Sequence, residues 1–178
     1  MANTAFWSGD TTGDPTFNRP SSMTSLSGVG TAVPYEVQPF FVLTSGQYIM
    51  ETFGTTHSDP YILVYGPTWN PATPLVGLVN GDDDFTGAFT LLTGSGSGLD
   101  ASRIASGDFT NFNSGGLNLT ANTQYYAVVT GFGNSDFGAY DAAIGGVGKV
   151  RLGLVPEPGT MIALGAGIAA LAARRRRK

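Results

Sequence analysis

From the N-terminus to about Leu152, Gly, Pro, Asn, Thr and Ser break the chain every 8 to 15 residues. Helix formers between the breaks are too sparse for a helix of three turns. What remains are short runs of β-branched and aromatic residues: Tyr35–Leu43, Gln47–Phe53, Pro60–Gly66, Pro74–Val79, Thr123–Phe132 and Gly138–Ile144, with Gly148–Leu152 as a further candidate. Strand-length runs at such spacing, with turn residues between them, predict an all-β sandwich or jelly roll. No strand alternates with a helical pattern, which excludes folds built from βαβ units. No internal repeat of fixed period is present.

Alternation within the runs predicts where the core lies. In Thr123–Phe132, Tyr125, Ala127, Val129 and Gly131 share one face, and Tyr126, Val128, Thr130 and Phe132 share the other. Both faces are largely apolar, as in a central strand covered on both sides. Gln47–Phe53 sets Tyr48, Met50 and Thr52 opposite Ile49, Glu51 and Phe53. Pro39 predicts a bulge or an edge position in the first run, because it has no N–H for a ladder.

The 178 residues suit one domain with a tail, and the apolar content argues against disorder. The absence of Cys excludes disulfides, Cys-ligated zinc, iron–sulfur clusters and a cysteine nucleophile, and a single histidine, His57, excludes a multi-histidine metal centre. Charge divides the chain in two. Residues 1–155 carry four basic and twelve acidic side chains, a net −8, whereas residues 156–178 carry five basic and one acidic, a net +4. An acidic body does not suit nucleic acid, whose binding rests on Lys and Arg contacts to phosphate.

Little in the body suits catalysis. Gly94-Ser-Gly-Ser-Gly98 fails the G-x-S-x-G pattern because its centre is Gly96. His57 precedes a strand in Thr55-Thr-His-Ser-Asp59 and reads as a solvated turn residue rather than a general base. The reading is therefore a non-enzyme without cofactor. Asp82, Asp83 and Asp84 are the candidate metal ligands. Asp82-Asp-Asp-Phe-Thr-Gly87 reproduces the opening half of an EF-hand loop, but Thr93 stands where the bidentate Glu belongs. The residues favour a solvated loop with Asp-capped turns. The alternative is a Ca²⁺ site that relieves the repulsion among the three carboxylates, with Asp59 or Asp100 as added ligands. Asn118-Leu-Thr120 is a glycosylation sequon by pattern alone.

Several segments in order carry a resemblance: Thr44–Gly54, Ser58–Gly66, Asn80–Asp84, Ser102–Ile104, Leu119–Gly131 and Gly138–Tyr140. Over about Val33 to Gly146 the chain resembles the bacterial pre-peptidase C-terminal (PPC) domain, and Asp14–Pro20 is similar to a lead-in of its exported relatives. The resemblance implies a jelly-roll-like sandwich with a noncatalytic accessory role.

The tail is more specific. Pro156-Glu157-Pro158 is followed by the apolar segment Gly159 to Ala173 and by Arg174, Arg175, Arg176, Arg177 and Lys178. As a helix the apolar segment would span about 22 Å, against a hydrocarbon core of about 30 Å. Snorkelling arginines would extend it and keep the basic end cytoplasmic. It has no polar face, which counts against a helix of the core. A permanent membrane anchor and a processed signal remain. In its three ordered parts the tail resembles the PEP-CTERM signal of Gram-negative bacteria. That resemblance implies recognition by an exosortase, a membrane-embedded cysteine transpeptidase, and cleavage near Pro156–Pro158. Met1–Trp7 lacks the charged and apolar regions of a secretory signal. An exported chain would need one, so the expectation is that this sequence starts downstream of it.

The predicted architecture is thus a sandwich over residues 1–152 including its lead-in, a linker with the Pro-Glu-Pro motif over 153–158, and a single hydrophobic helix with basic tail over 159–178. The predicted role is an exported envelope or matrix protein that passes through the inner membrane and is sorted by an exosortase, beside exopolysaccharide or biofilm. The alternative is a membrane-anchored accessory module that binds carbohydrate or protein, such as extracellular polysaccharide, through exposed Trp7, Trp69, Tyr61 or Tyr65.

Overall fold

The computed structural model describes residues 3–108 and 110–156. These form thirteen strands and no helix: β1 (Ala5–Asp10), β2 (Thr16–Phe17), β3 (Val33–Val42), β4 (Gly46–Gly54), β5 (Pro60–Tyr65), β6 (Leu78–Asp82), β7 (Phe85–Ala88), β8 (Ser95–Gly98), β9 (Ala101–Ile104), β10 (Leu117–Leu119), β11 (Tyr125–Gly131), β12 (Ala139–Gly146) and β13 (Val150–Leu152). The helix predicted over Gly159 to Ala173 lies outside the described residues, as do Glu157, Pro158 and the basic cluster.

One sheet runs β13-β3-β11-β5-β6, with β2 sharing the β13 edge of β3. The other runs β1-β12-β4-β10, with β9 and β10 lying end to end along one edge of β4. All pairings are antiparallel, and β7 with β8 forms a separate hairpin. The main core lies between the two large sheets. Phe40, Val42, Ile62, Val64, Tyr125, Ala127 and Val129 come from the first, and Tyr48, Met50, Ile104, Leu117, Ala142 and Ile144 from the second.

A second apolar cluster lies on the outer face of the first sheet. There Tyr61, Leu63, Tyr65 and Val128 pack under Phe17 and Val33, with Trp69, Phe112 and Phe132 at the margin. The lead-in and loops supply that cover, so β11, central between β3 and β5, is buried on both faces as its two-sided apolar pattern predicts. Pro39 sits on the open stretch of β3 between β2 and β13, where its carbonyl accepts from Gly153 N at 2.7 Å. The missing N–H leaves no ladder bond unmade, which is the edge half of the expectation.

Two predicted elements differ. The run Pro74–Val79 is mostly turn, and the strand is Leu78–Asp82, shifted toward the carboxylates. Gly77 has φ +76°, a left-handed turn conformation that a strand does not adopt, and it directs the chain into β6. His57 is buried at 3% exposure rather than solvated. The N–H groups of Thr55, Thr56 and His57 all converge on Ala139 O, at 2.9 to 3.1 Å, which folds the turn against β12.

Candidate functional site

The acidic run gains its geometry from strand pairing. Antiparallel β5 and β6 set Ile62 opposite Asp82. Continuing that register by two residues brings Pro60 opposite Asp84, so the start of β5 meets the exit from β6. Asp59, just before Pro60, thereby joins Asp83 and Asp84, and carboxylate oxygens of the three lie within 4.8 Å of one another. The Oδ1 atom of each is buried and accepts no hydrogen bond.

Asp82 is not one of the three. Side chains alternate along the strand, and its Oδ2 accepts from Arg103 N at 2.7 Å. It is fully buried. Asp100 is also elsewhere, accepting from Ser97 N and Ser97 Oγ, both at 2.7 Å. Of the predicted ligands the structure thus joins Asp83 and Asp84, replaces Asp82 by Asp59, and leaves Asp100 in its own turn.

Strand β9 braces this corner. Ser102 Oγ lies 2.6 Å from Pro60 O and also contacts Asp83 O, linking one sheet to the loop of the other. Arg103 forms a two-pronged ion pair with Asp108, at 2.8 and 2.9 Å, and its guanidinium lies 3.9 Å from the centre of the Phe85 ring. Behind the cluster, Arg19 is 2% exposed. It donates Nε and Nη2 to Phe132 O and Nη1 to Pro20 O, and stacks over Tyr61 at 3.9 Å. Its charge is felt by Asp59 and Asp83, yet among the described residues it pairs with no carboxylate.

The fields follow from burial. Burial, then the charges of Asp83, Asp136 and Asp84, push Asp59 up to about 7, against the pull of Arg19. Asp83 rises to about 6 from burial and Asp84. Asp82 rises to about 7 from burial, opposed by its hydrogen bonds to Thr110 and Arg103. Burial lowers His57 to about 4, opposed by Asp136 and Asp10. Its Nδ1 faces Asp59 N at 3.4 Å, and its Nε2 has no partner.

The aromatic side chains predicted to be exposed are packed instead. Tyr61 is 2% and Tyr65 0% exposed. Trp69 is half-buried against Tyr65, Phe17 and Tyr35, with ring centres 4.4, 5.3 and 5.6 Å away. Trp7 is half-buried against the main core. Burying these rings removes large apolar areas from water, so they stabilise the sandwich rather than line a platform. The sequence reading also missed Glu51, fully buried on the outer face of β4, whose Oε1 accepts from Thr90 N and Oε2 from Leu91 N and Leu92 N at 2.7 to 3.0 Å. Its only sequence signal is a carboxylate inside a strand-forming run, next to Met50.

The described chain leaves β13 at Leu152 and is tied by Val155 N to Gln124 Oε1 at 2.8 Å before Pro156, which is exposed. Among the described residues no helix is long and apolar enough to cross a membrane.

Comparison with known proteins bears on the tail. No curated protein matches the chain. Among solved structures it is similar to the K3 cleaved adhesin domain of Lys-gingipain from Porphyromonas gingivalis w83, at 16% identity and TM-score 0.34, covering 84% of this chain and 91% of that one. It is also similar to CorA, a surface-associated copper-binding protein of Methylomicrobium album BG8, at 14% identity and TM-score 0.29, covering 80% of this chain and 92% of that one. Residues 154–177 match the PEP-CTERM protein-sorting motif. Behind its all-β body the chain therefore carries a PEP-CTERM sorting motif, which implies export and exosortase-dependent processing at the membrane.

Proposed function

We propose that this chain is a non-catalytic protein of the cell envelope or extracellular matrix, cleaved near Pro156–Pro158 by an exosortase and released beside exopolysaccharide in a biofilm. The carrying observation is the sorting motif at residues 154–177, directly behind a sandwich whose last strand ends at Leu152. Glu157 and the two prolines are the recognition element in this reading. Gly159 to Ala173 inserts in the membrane, and Arg174–Lys178 holds the cytoplasmic side. The passage of successive strands between the two sheets supports a jelly-roll-like body of the PPC kind.

A noncatalytic role is supported by the placement of the one histidine, His57, which at 3% exposure is out of reach of a substrate. The packed tyrosines and tryptophans favour a structural part over sugar recognition by an aromatic platform. Fractionation of a producing strain tests the proposal. The protein is expected in the matrix fraction of the parent, in the membrane fraction when the exosortase is deleted, and in the free medium when exopolysaccharide synthesis is deleted. Matrix retention in both deletion strains would contradict it.

A further inference from the structure

We propose that the end of the sandwich carrying Lys149 and Arg151 docks on an anionic lipid surface, so that the body stands on the membrane that holds its tail. The inference rests on the reading that Gly159 to Ala173 inserts there. Of the four basic residues ahead of Pro156, Arg19 is buried and Arg103 is paired with Asp108. Lys149 and Arg151 are exposed, in the turn before β13 and on β13 itself, and among the described residues neither pairs with a carboxylate.

Strand register fixes what surrounds them. By their antiparallel pairing, β3, β5 and β12 end at this end of the sandwich, and β4, β11 and β13 begin there. The connections that meet there, residues 43–45, 66–77, 120–124 and 147–149, contain no Asp or Glu. Half of the twelve carboxylates of the body, Asp10, Asp14, Asp59, Asp83, Asp84 and Asp136, stand at the opposite end. Apolar side chains are exposed at both ends, and charge tells the two apart. At and beside the Lys149 end, Leu43, Val76, Val147, Leu152 and Leu154 are 38 to 67% exposed. Exposed apolar side chains beside unpaired cations match a boundary of acyl chains and anionic headgroups, which repels the acidic end.

Chain length enforces the contact. Val155 N is held by Gln124 Oε1 at 2.8 Å, in the connection before β11, so the chain leaves the body at this end. From Pro156 to Gly159 is three residue steps, at most about 11 Å of extended backbone. A tether that short keeps this end within reach of the headgroups.

The test uses the full chain, which has no cysteine of its own. Val147→Cys and Ser135→Cys each accept one polarity-sensitive dye, the first at the docking end and the second at the acidic end. The labelled proteins are added to vesicles of phosphatidylglycerol and phosphatidylcholine that carry a quencher in their acyl chains, and flotation reports insertion of the tail separately. The dye at residue 147 is expected to be blue-shifted and quenched, and the dye at residue 135 to be neither. Adding Lys149→Glu and Arg151→Glu together should cut the quenching at residue 147 at least about threefold, with flotation and Tm unchanged. A chain that floats with the residue 147 dye unquenched, or with both dyes quenched alike, overturns the docking and leaves the insertion reading intact. Quenching that survives the double charge reversal undiminished also overturns it. A chain that does not float overturns both readings.

Discussion

Glu51 and Arg19 illustrate how this body uses buried charge. Each is enclosed, and each is satisfied by backbone groups rather than by an opposite side chain. Glu51 collects three N–H groups of the loop that crosses the outer face of its sheet. Gln at this position replaces one acceptor with a donor aimed at an N–H. Hydrogen bonds to charged groups are worth roughly 1.5–3 kcal/mol, so Glu51→Gln is expected to destabilise by about 2–3 kcal/mol. Urea unfolding measures this, and hydrogen exchange at Thr90–Leu92 should quicken in the same variant. Arg19 uses a planar fork to reach two carbonyls while stacking on Tyr61. Lys keeps the charge but neither the fork nor the flat face. Arg19→Lys should therefore lower stability by about 1–3 kcal/mol, and a midpoint equal to that of the parent would show that charge alone suffices.

At the scale of elements, the legible strands were those whose own residues carry the pattern. TQYYAVVTGF alternates two apolar faces, and β11 is buried on both. AFWSGD, FTGA and SGSG are strands too, yet Gly and Ser leave little period to read, and LNL is too short to show one. They are strands because partners are in place: β1 along β12, β10 along the end of β4. The acidic corner behaves likewise. Adjacent Asp82, Asp83 and Asp84 were visible as a run, but alternation sends Asp82 to Arg103, and only the β5–β6 register brings in Asp59. The edge of the body follows the same logic. After β13 the chain is pinned by Gly153 N on Pro39 O and Val155 N on Gln124 Oε1. A chain ending at Val155 is expected to be soluble, β-rich by circular dichroism, and within a few degrees of the Tm of the full protein. Aggregation or a lost transition would mean that the tail packs into the sandwich.

For the whole molecule, charge separates two tasks. The acidic body folds around a core independent of lysine and arginine clusters, and five of the nine basic residues stand in the last five positions. That arrangement suits a domain handed across a membrane by a signal that is then discarded. The sorting tail was readable without any fold, because its three parts are contiguous in the sequence. The body's role was less readable, since a sandwich is a scaffold shared by many functions. The exposed aromatics assigned from sequence were packed because a sheet face covered by a lead-in looks, in sequence, like one facing solvent. Glu157→Ala should leave the Tm of the sandwich unchanged, because the last strand ends before it, yet block processing and strand the precursor in the membrane.

The central claim is tested most directly by the mass of the mature C-terminus. In a host with an exosortase, and with a secretory signal placed ahead of the chain, intact-mass spectrometry of the exported protein should show a species ending near Pro158 without the Arg174–Lys178 cluster. Mature protein that still ends at Lys178 would contradict processing and reduce the tail to an anchor.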